Sequence, residues 1–389
     1  MTGRTERSYI GSLGPSSRAV VKELLTAGEL PRAELARRLG HSPASLTKIT
    51  RPLLDSGVIA ERKALGADAP GRPGTPLTVV AARFQFLGFK ITQDALFCVR
   101  TDAHGVVQES LSTELSNTSS EHVVGLIVEQ VNEIVAEHEI QAAGIGSAGM
   151  MRRYDDRVRH NLYLGWDEVP LAEIIQDRTG VPTVVSSDTR ALTVGVQWSG
   201  PGRGHADFAV VTIGVGVGLG LVLEDRVVAG ATGGAGFVGH MRVSDSGPLC
   251  RQGHRGCVSA YLNAESITSN IAVPHGISAL DFEGACALAA DGDGAALKVF
   301  DEAGHALGVL MANLVNVLGL PLIILTGDGL PGLPYLRDAM NQALESHRDE
   351  RAHEPELRIF DSDFDEWARG AAVVACQWSL VEPPGTSER

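Results

Sequence analysis

Between Ser16 and Ala27 the apolar residues Val20, Val21, Leu24 and Leu25 recur at helical spacing, behind Pro15 and hydroxyls able to cap a first turn. A second, short helix is predicted to open at Leu30-Pro31 and to run through Leu35 and Leu39, with Gly40 as the left-handed residue that stops it. Ser42-Pro43 then supplies a capping hydroxyl and a proline for the start of a third helix, with Leu46, Ile49 and Leu53 on one face. Three helices with a glycine turn before the last form a helix-turn-helix pattern. Residues 57–60 and 77–80 read as strands around a Gly- and Pro-rich loop carrying Arg62, Lys63 and Arg72, which adds a wing. Pro52 lacks an amide hydrogen and is expected to kink or shorten the third helix.

Beyond the wing the pattern alternates between strands and helices. Residues 85–91 and 96–99 read as strands, Gly105 as a turn before Val106-Val107, residues 120–137 as a helix and 143–146 as a strand. A second round follows, with a strand at 182–186, a helix from Thr189, a strand pair at 208–213 and 218–223, and a strand at 322–327 before a C-terminal helix. The reading is α/β, with a winged helix-turn-helix at 1–82, a first lobe at 83–195 and a second at 196–389. The C-terminal helix is expected to pack back on the first lobe, and a cleft between lobes is a usual ligand site.

Composition supports sizeable cores, at 44% apolar and 21% charged. No apolar run reaches the roughly 18 residues of a membrane span, and the first residues lack the apolar stretch of a signal peptide, so a cytoplasmic protein is expected, with no membrane partner. The net charge of -14 argues against nucleic acid until it is divided by region. Residues 1–80 hold 12 Lys and Arg against 7 Asp and Glu, and the remainder 21 against 40, giving a head of +5 on a body of -19. That asymmetry fits a nucleic-acid-binding arm on an acidic domain.

With Leu46, Ile49 and Leu53 inward, 100° per residue turns Ala44, Thr47, Lys48 and Arg51 outward, toward a DNA major groove. Lys48 and Arg51 suit phosphates or guanine edges, Thr47 a phosphate or base, and the Ala44 methyl a thymine methyl. Arg72 suits a minor groove. The alternative is a set of solvated charges on a small domain used for protein contacts. Five cysteines, Cys98, Cys250, Cys257, Cys286 and Cys376, are too scattered for a disulfide framework, and the close pair Cys250 and Cys257 suggests a metal instead.

The segment Gly233-Gly234-Ala235-Gly236-Phe237-Val238-Gly239-His240-Met241, followed by Cys250 and Cys257, resembles the ROK family (repressor, open reading frame, kinase). Residues 161–166, Ser187-Asp188-Thr189-Arg190-Ala191-Leu192 and Leu325-Thr326-Gly327-Asp328-Gly329 support the resemblance in order and spacing. It implies a two-lobed, actin-like (ribonuclease H-like) ATPase-type fold shared by sugar kinases and winged-helix repressors.

The same resemblance marks departures. The first phosphate turn of the kinases, D-x-G-G-T-K, is here Lys90-Ile91-Thr92-Gln93-Asp94-Ala95, with no glycine, so no ATP is expected. The second, residues 214–220, reads better as a tight hairpin. Asp188 matches the kinase base but is expected to be a ligand contact or a helix cap rather than catalytic, beside Ser187. Two sugar-binding glutamates are replaced by Phe237 and Ser259. His240, with Ser187 and Asp188, is a candidate ligand-binding residue; His240, Cys250 and Cys257 match a structural zinc site whose fourth ligand is lost at Gln252, with His254 close enough in sequence to swing in. A metal-free loop with buried thiols is the alternative.

The resulting expectation is a regulator, a repressor of carbohydrate uptake or metabolism genes, without enzyme activity. It would bind a double-stranded DNA operator as a homodimer or homotetramer, with a sugar or sugar derivative as effector. The alternatives are a regulator with no small-molecule ligand and a sugar kinase carrying an added DNA-binding domain.

Overall fold

Residues 13–62, 75–161 and 163–381 are described by the computed structural model of the protein. They fall into a first unit, Met1–Ser199 with Phe364–Arg389, and a second, Gly200–Asp363.

The first unit begins with α1 (Pro15–Ala27), α2 (Arg32–Arg38) and α3 (Pro43–Asp55). Val20, Leu24, Leu25, Leu35, Leu46 and Leu53 are buried among them. Each such side chain contributes about 1.5–3 kcal/mol, so the head has a core of its own. Gly40 has φ +65°, and the Ser42 hydroxyl accepts the Ser45 amide hydrogen at 3.2 Å, as the spacing predicted.

The head differs from the sequence reading in four places. Leu30–Pro31 is a short strand, β1, rather than a helix start; β2 (Ile59–Glu61) and β3 (Pro76–Val79) complete a sheet of order β1-β3-β2, and extended Pro31 becomes the N-cap of α2. Gly14, not a hydroxyl residue, stands at the N-cap of α1. Thr50 rather than Ile49 completes the buried face of α3, because its hydroxyl is satisfied by the Leu46 carbonyl at 2.9 Å and adds no orphan polar group to the core. Finally, α3 is not cut short at Pro52 but runs to Asp55. The hydrogen bond that proline forfeits lies on the exposed side of the helix, where water is available.

A meander of β4 (Gln85–Ile91), β5 (Ala95–Asp102) and β6 (Val107–Glu114) follows, then α4 (Ser120–Glu137) and β7 (Ile140–Ser147), parallel to β4. A hairpin of β8 (Val158–Asn161) and β9 (Trp166–Val169), which the apolar pattern did not announce, precedes α5 (Leu171–Thr179). β10 (Thr183–Ser187), parallel to β7, leads into α6 (Asp188–Ser199).

The second unit repeats the plan. β11 (Phe208–Ile213), β12 (Val217–Leu223) and β13 (Arg226–Val227) form the meander; α7 (Val258–Leu262), α8 (Ala264–His275), α9 (Phe282–Ala290) and α10 (Gly294–Leu318) follow; β14 (Leu322–Thr326), α11 (Leu333–His347) and β15 (Glu356–Ile359) close it. The sheets run β10-β7-β4-β5-β6 and β13-β12-β11-β14-β15, so both read 3-2-1-4-5 in their own numbering, strands 1, 4 and 5 parallel. This is the duplicated, actin-like ATPase-type scaffold that the resemblance implied.

The chain then supplies α12 (Phe364–Cys376) to the first unit, where it lies on β4 and β7. A Cβ on Gly88 would stand 1.9 Å from the Ala368 carbonyl oxygen, and one on Gly144 1.9 Å from that of Ala371. Only glycine permits this approach. Among the described residues, no helix is long and apolar enough to cross a membrane.

Candidate functional site

On the head, Ala44, Thr47, Lys48 and Arg51 share the exposed side of α3. Thr47 donates its hydroxyl to the Pro43 carbonyl at 2.9 Å, and Arg51 lies 4.0 Å from Asp55, both groups open to solvent. Several other head arginines are engaged by acids. Arg37 and Arg38 clamp Glu34 and hold its carboxyl near 2, Arg32 meets Glu61 at 2.6 Å, and Arg62 meets Glu29 at 2.9 Å. Lys48, by contrast, is exposed and makes no ion pair among the described residues, so it is available to an external anion. Arg72 and Lys63 lie outside the described residues.

In the first unit, Ser187 ends β10 and Asp188 begins α6. Asp188 accepts the Thr189 amide hydrogen at 2.7 Å through Oδ1 and an ion pair from the Lys90 ammonium through Oδ2. Lys90 is 6% exposed, and its ammonium sits 4.8 Å from the centre of the Trp367 ring. Both carboxylate oxygens are therefore committed within the protein. The sequence held the signal for this pair, a lysine in place of the aspartate of the phosphate turn, but not the contact. The turn itself is closed by Thr92, whose hydroxyl oxygen accepts from the amides of Asp94 at 3.3 Å and Ala95 at 2.9 Å. Amides that a phosphate cradle needs free are thus already bonded.

The glycine run 214–220 is a hairpin, with Ile213 paired to Val217. A carboxylate lies against it, since a Cβ on Gly214 would stand 1.6 Å from Asp328 Oδ1. Phe237, in place of one sugar-binding glutamate, is 63% exposed.

The second unit also brings His240, Cys250 and Cys257 together, with ligand atoms all within 4.8 Å of one another. His240 Nδ1 is 3.8 Å from each sulfur. A zinc tetrahedron with Zn–S of about 2.3 Å and Zn–N of about 2.1 Å has edges of about 3.5–3.8 Å, so the three residues fit the metal in identity and spacing. Both cysteines are buried, and desolvation raises the Cys257 thiol while it lowers the His240 imidazole, which His254 lowers further. Gln252 is exposed and makes no hydrogen bond among the described residues, as expected of a lost ligand.

A three-helix head with a small wing, joined to two sheets of one order, defines a winged helix-turn-helix protein with an ATPase-type body. A winged helix-turn-helix DNA-binding profile matches residues 15–60, and the ROK family profile matches residues 93–377. The chain belongs to the ROK family. It is 24% identical to the DNA-binding transcriptional repressor Mlc of Escherichia coli (strain K12) over 363 residues, 88% of this chain and 89% of Mlc. It is 29% identical over 230 residues to a glucokinase of Thermotoga maritima, 56% of this chain and 72% of the kinase. Its fold resembles the crystal structure of a ROK family transcriptional regulator, a homologue of Mlc, with a TM-score of 0.80 at 23% identity, covering 95% of this chain and 96% of the other.

Proposed function

We propose that the protein is a DNA-binding transcriptional repressor of the ROK type, controlling genes of carbohydrate uptake or metabolism and lacking kinase activity. The observation that carries this reading is the winged head, with Ala44, Thr47, Lys48 and Arg51 on the open face of α3, on a chain similar along most of its length to Mlc. Two heads in a homodimer, or in a homotetramer, would present two such helices to a palindromic operator.

A kinase base must be free to accept a proton from the substrate hydroxyl, and an ammonium on Asp188 stabilises the charged carboxylate instead. The bonded Thr92 turn supports the same reading for ATP. Ser187 and Asp188 in the first unit and, taken separately, His240 in the second are proposed as effector-contact residues, and a structural zinc on His240, Cys250 and Cys257 would hold its loop in shape. A regulator that answers to no small molecule is a second reading, favoured by exposed, apolar Phe237 where a sugar would need a carboxylate.

Mobility shifts with the DNA upstream of the protein's own gene, titrated with a panel of sugars, test the proposal. A sequence-specific shift at moderate salt is expected, released or strengthened by one sugar class. No specific shift, or turnover of ATP with any hexose, would overturn it.

A further inference from the structure

His240, Cys250 and Cys257 leave one corner of a zinc tetrahedron without a ligand, and the residue at the position of the lost cysteine, Gln252, is exposed and makes no hydrogen bond among the described residues. Two residues on, the loop turns back. The Gly253 amide donates to the Cys250 carbonyl at 2.8 Å and the Cys250 amide to the His254 carbonyl at 2.9 Å. This closed turn brings the His254 side chain to Cys250, with Nδ1 3.6 Å from the Cys250 Sγ. The His240 and His254 ring centroids are 4.5 Å apart.

We infer that His254 is the fourth metal ligand, so that the loop binds zinc through two thiolates and two imidazoles. The inference rests on the zinc reading above. Its geometric basis is that His254 Nδ1 lies 3.6 Å from Cys250 Sγ, a tetrahedral edge of about 3.5–3.8 Å, beside the three ligands whose own spacing already fits the metal. Its chemical basis is that imidazole is a good zinc donor and an amide oxygen a poor one. Two thiolates balance the charge of Zn²⁺, leaving a neutral centre, whereas a third thiolate would leave it negative.

The test uses the full chain, reconstituted with Zn²⁺ and measured by elemental analysis and competition with a chromophoric chelator. The same proteins are loaded with Co²⁺ and followed by absorption. One zinc per chain and a tetrahedral Co²⁺ spectrum are expected for the unaltered protein. His254→Ala should weaken zinc binding by about tenfold or more, since even outer-shell changes cost about 10–100-fold. His254→Cys should keep the metal and raise the thiolate-to-cobalt charge-transfer band by about half, three thiolates replacing two. If His254→Ala binds zinc as tightly as the parent with an unchanged Co²⁺ spectrum, His254 is not a ligand although the zinc reading stands. If the unaltered protein takes up no zinc, that reading and this inference fail together. The His254→Cys band distinguishes ligation from a merely structural role, because only a coordinating sulfur contributes to it.

Discussion

Replacing Lys90 by methionine removes the ammonium from Asp188 and leaves a carboxylate largely out of water, 15% exposed at its side chain. Deleting one member of a buried ion pair costs about 3–5 kcal/mol. Asp188 keeps the Thr189 amide at 2.7 Å and some solvent, which places Lys90→Met toward the lower end, at about 3 kcal/mol. For a unit of roughly 200 residues, that corresponds to a fall in Tm of about 6–12 °C. Tryptophan fluorescence isolates the effect, because Trp166, Trp198, Trp367 and Trp378, the 4 tryptophans of the chain, all belong to the first unit. In the double variant Lys90→Met/Asp188→Asn the amide oxygen can still accept from the Thr189 amide and no charge is stranded, so most of the stability should return. A single variant that loses less than about 1 kcal/mol, or a double variant less stable than the single, would refute the argument that the two charges serve one another.

Lys48→Ala should weaken binding to all DNA sequences and reduce the slope of log K against log salt by about 0.9 per head, read from fluorescence anisotropy across a salt series. His275 is held above the ordinary imidazole range by its bond to Asp293 and then by the Ile271 carbonyl, so its contribution is present below the unfolded imidazole pKa and lost as pH rises through the raised value. His275→Ala should therefore destabilise the second unit more at pH near 6 than near 9, in paired denaturation curves. Gly144→Ala places a methyl 1.9 Å from the Ala371 carbonyl oxygen and should cost about 3 kcal/mol or more, seen as early loss of tryptophan signal on heating.

Wherever one short stretch carried both an apolar stripe and its punctuation, the sequence was legible. Ser42-Pro43 and Leu46 located α3, and the largely apolar run 208–213, broken only by Thr212, located β11 to the residue. What failed depended on partners distant in the chain. Leu30-Pro31 looked like a helix entry until Leu77 paired with it, and Ile49 was expected on the inward face of α3, where Thr50 is buried with its hydroxyl donating to the Leu46 carbonyl. At the site, residue identities were readable from family spacing, as with His240, Cys250 and Cys257, because ligand types survive in a string of letters. The Lys90 to Asp188 contact spans 98 positions and two secondary elements, so only the folded chain displays it. His254 stands between these cases: its nearness to Cys250 was visible, but its reach was set by the turn at Gly253.

The placement of α12 bears on the order of assembly during synthesis. Residues 364–376 complete the layer over β4 and β7, yet they follow the whole of the second unit in the chain. A ribosome therefore delivers every strand of the second unit before it delivers the helix the first is waiting for. The inserted unit can mature early, while β4 and β7 expose Gly88, Gly144 and their apolar neighbours to chaperones until translation has passed Cys376. A nonsense mutation just beyond the second unit would thus injure the N-terminal half of the molecule.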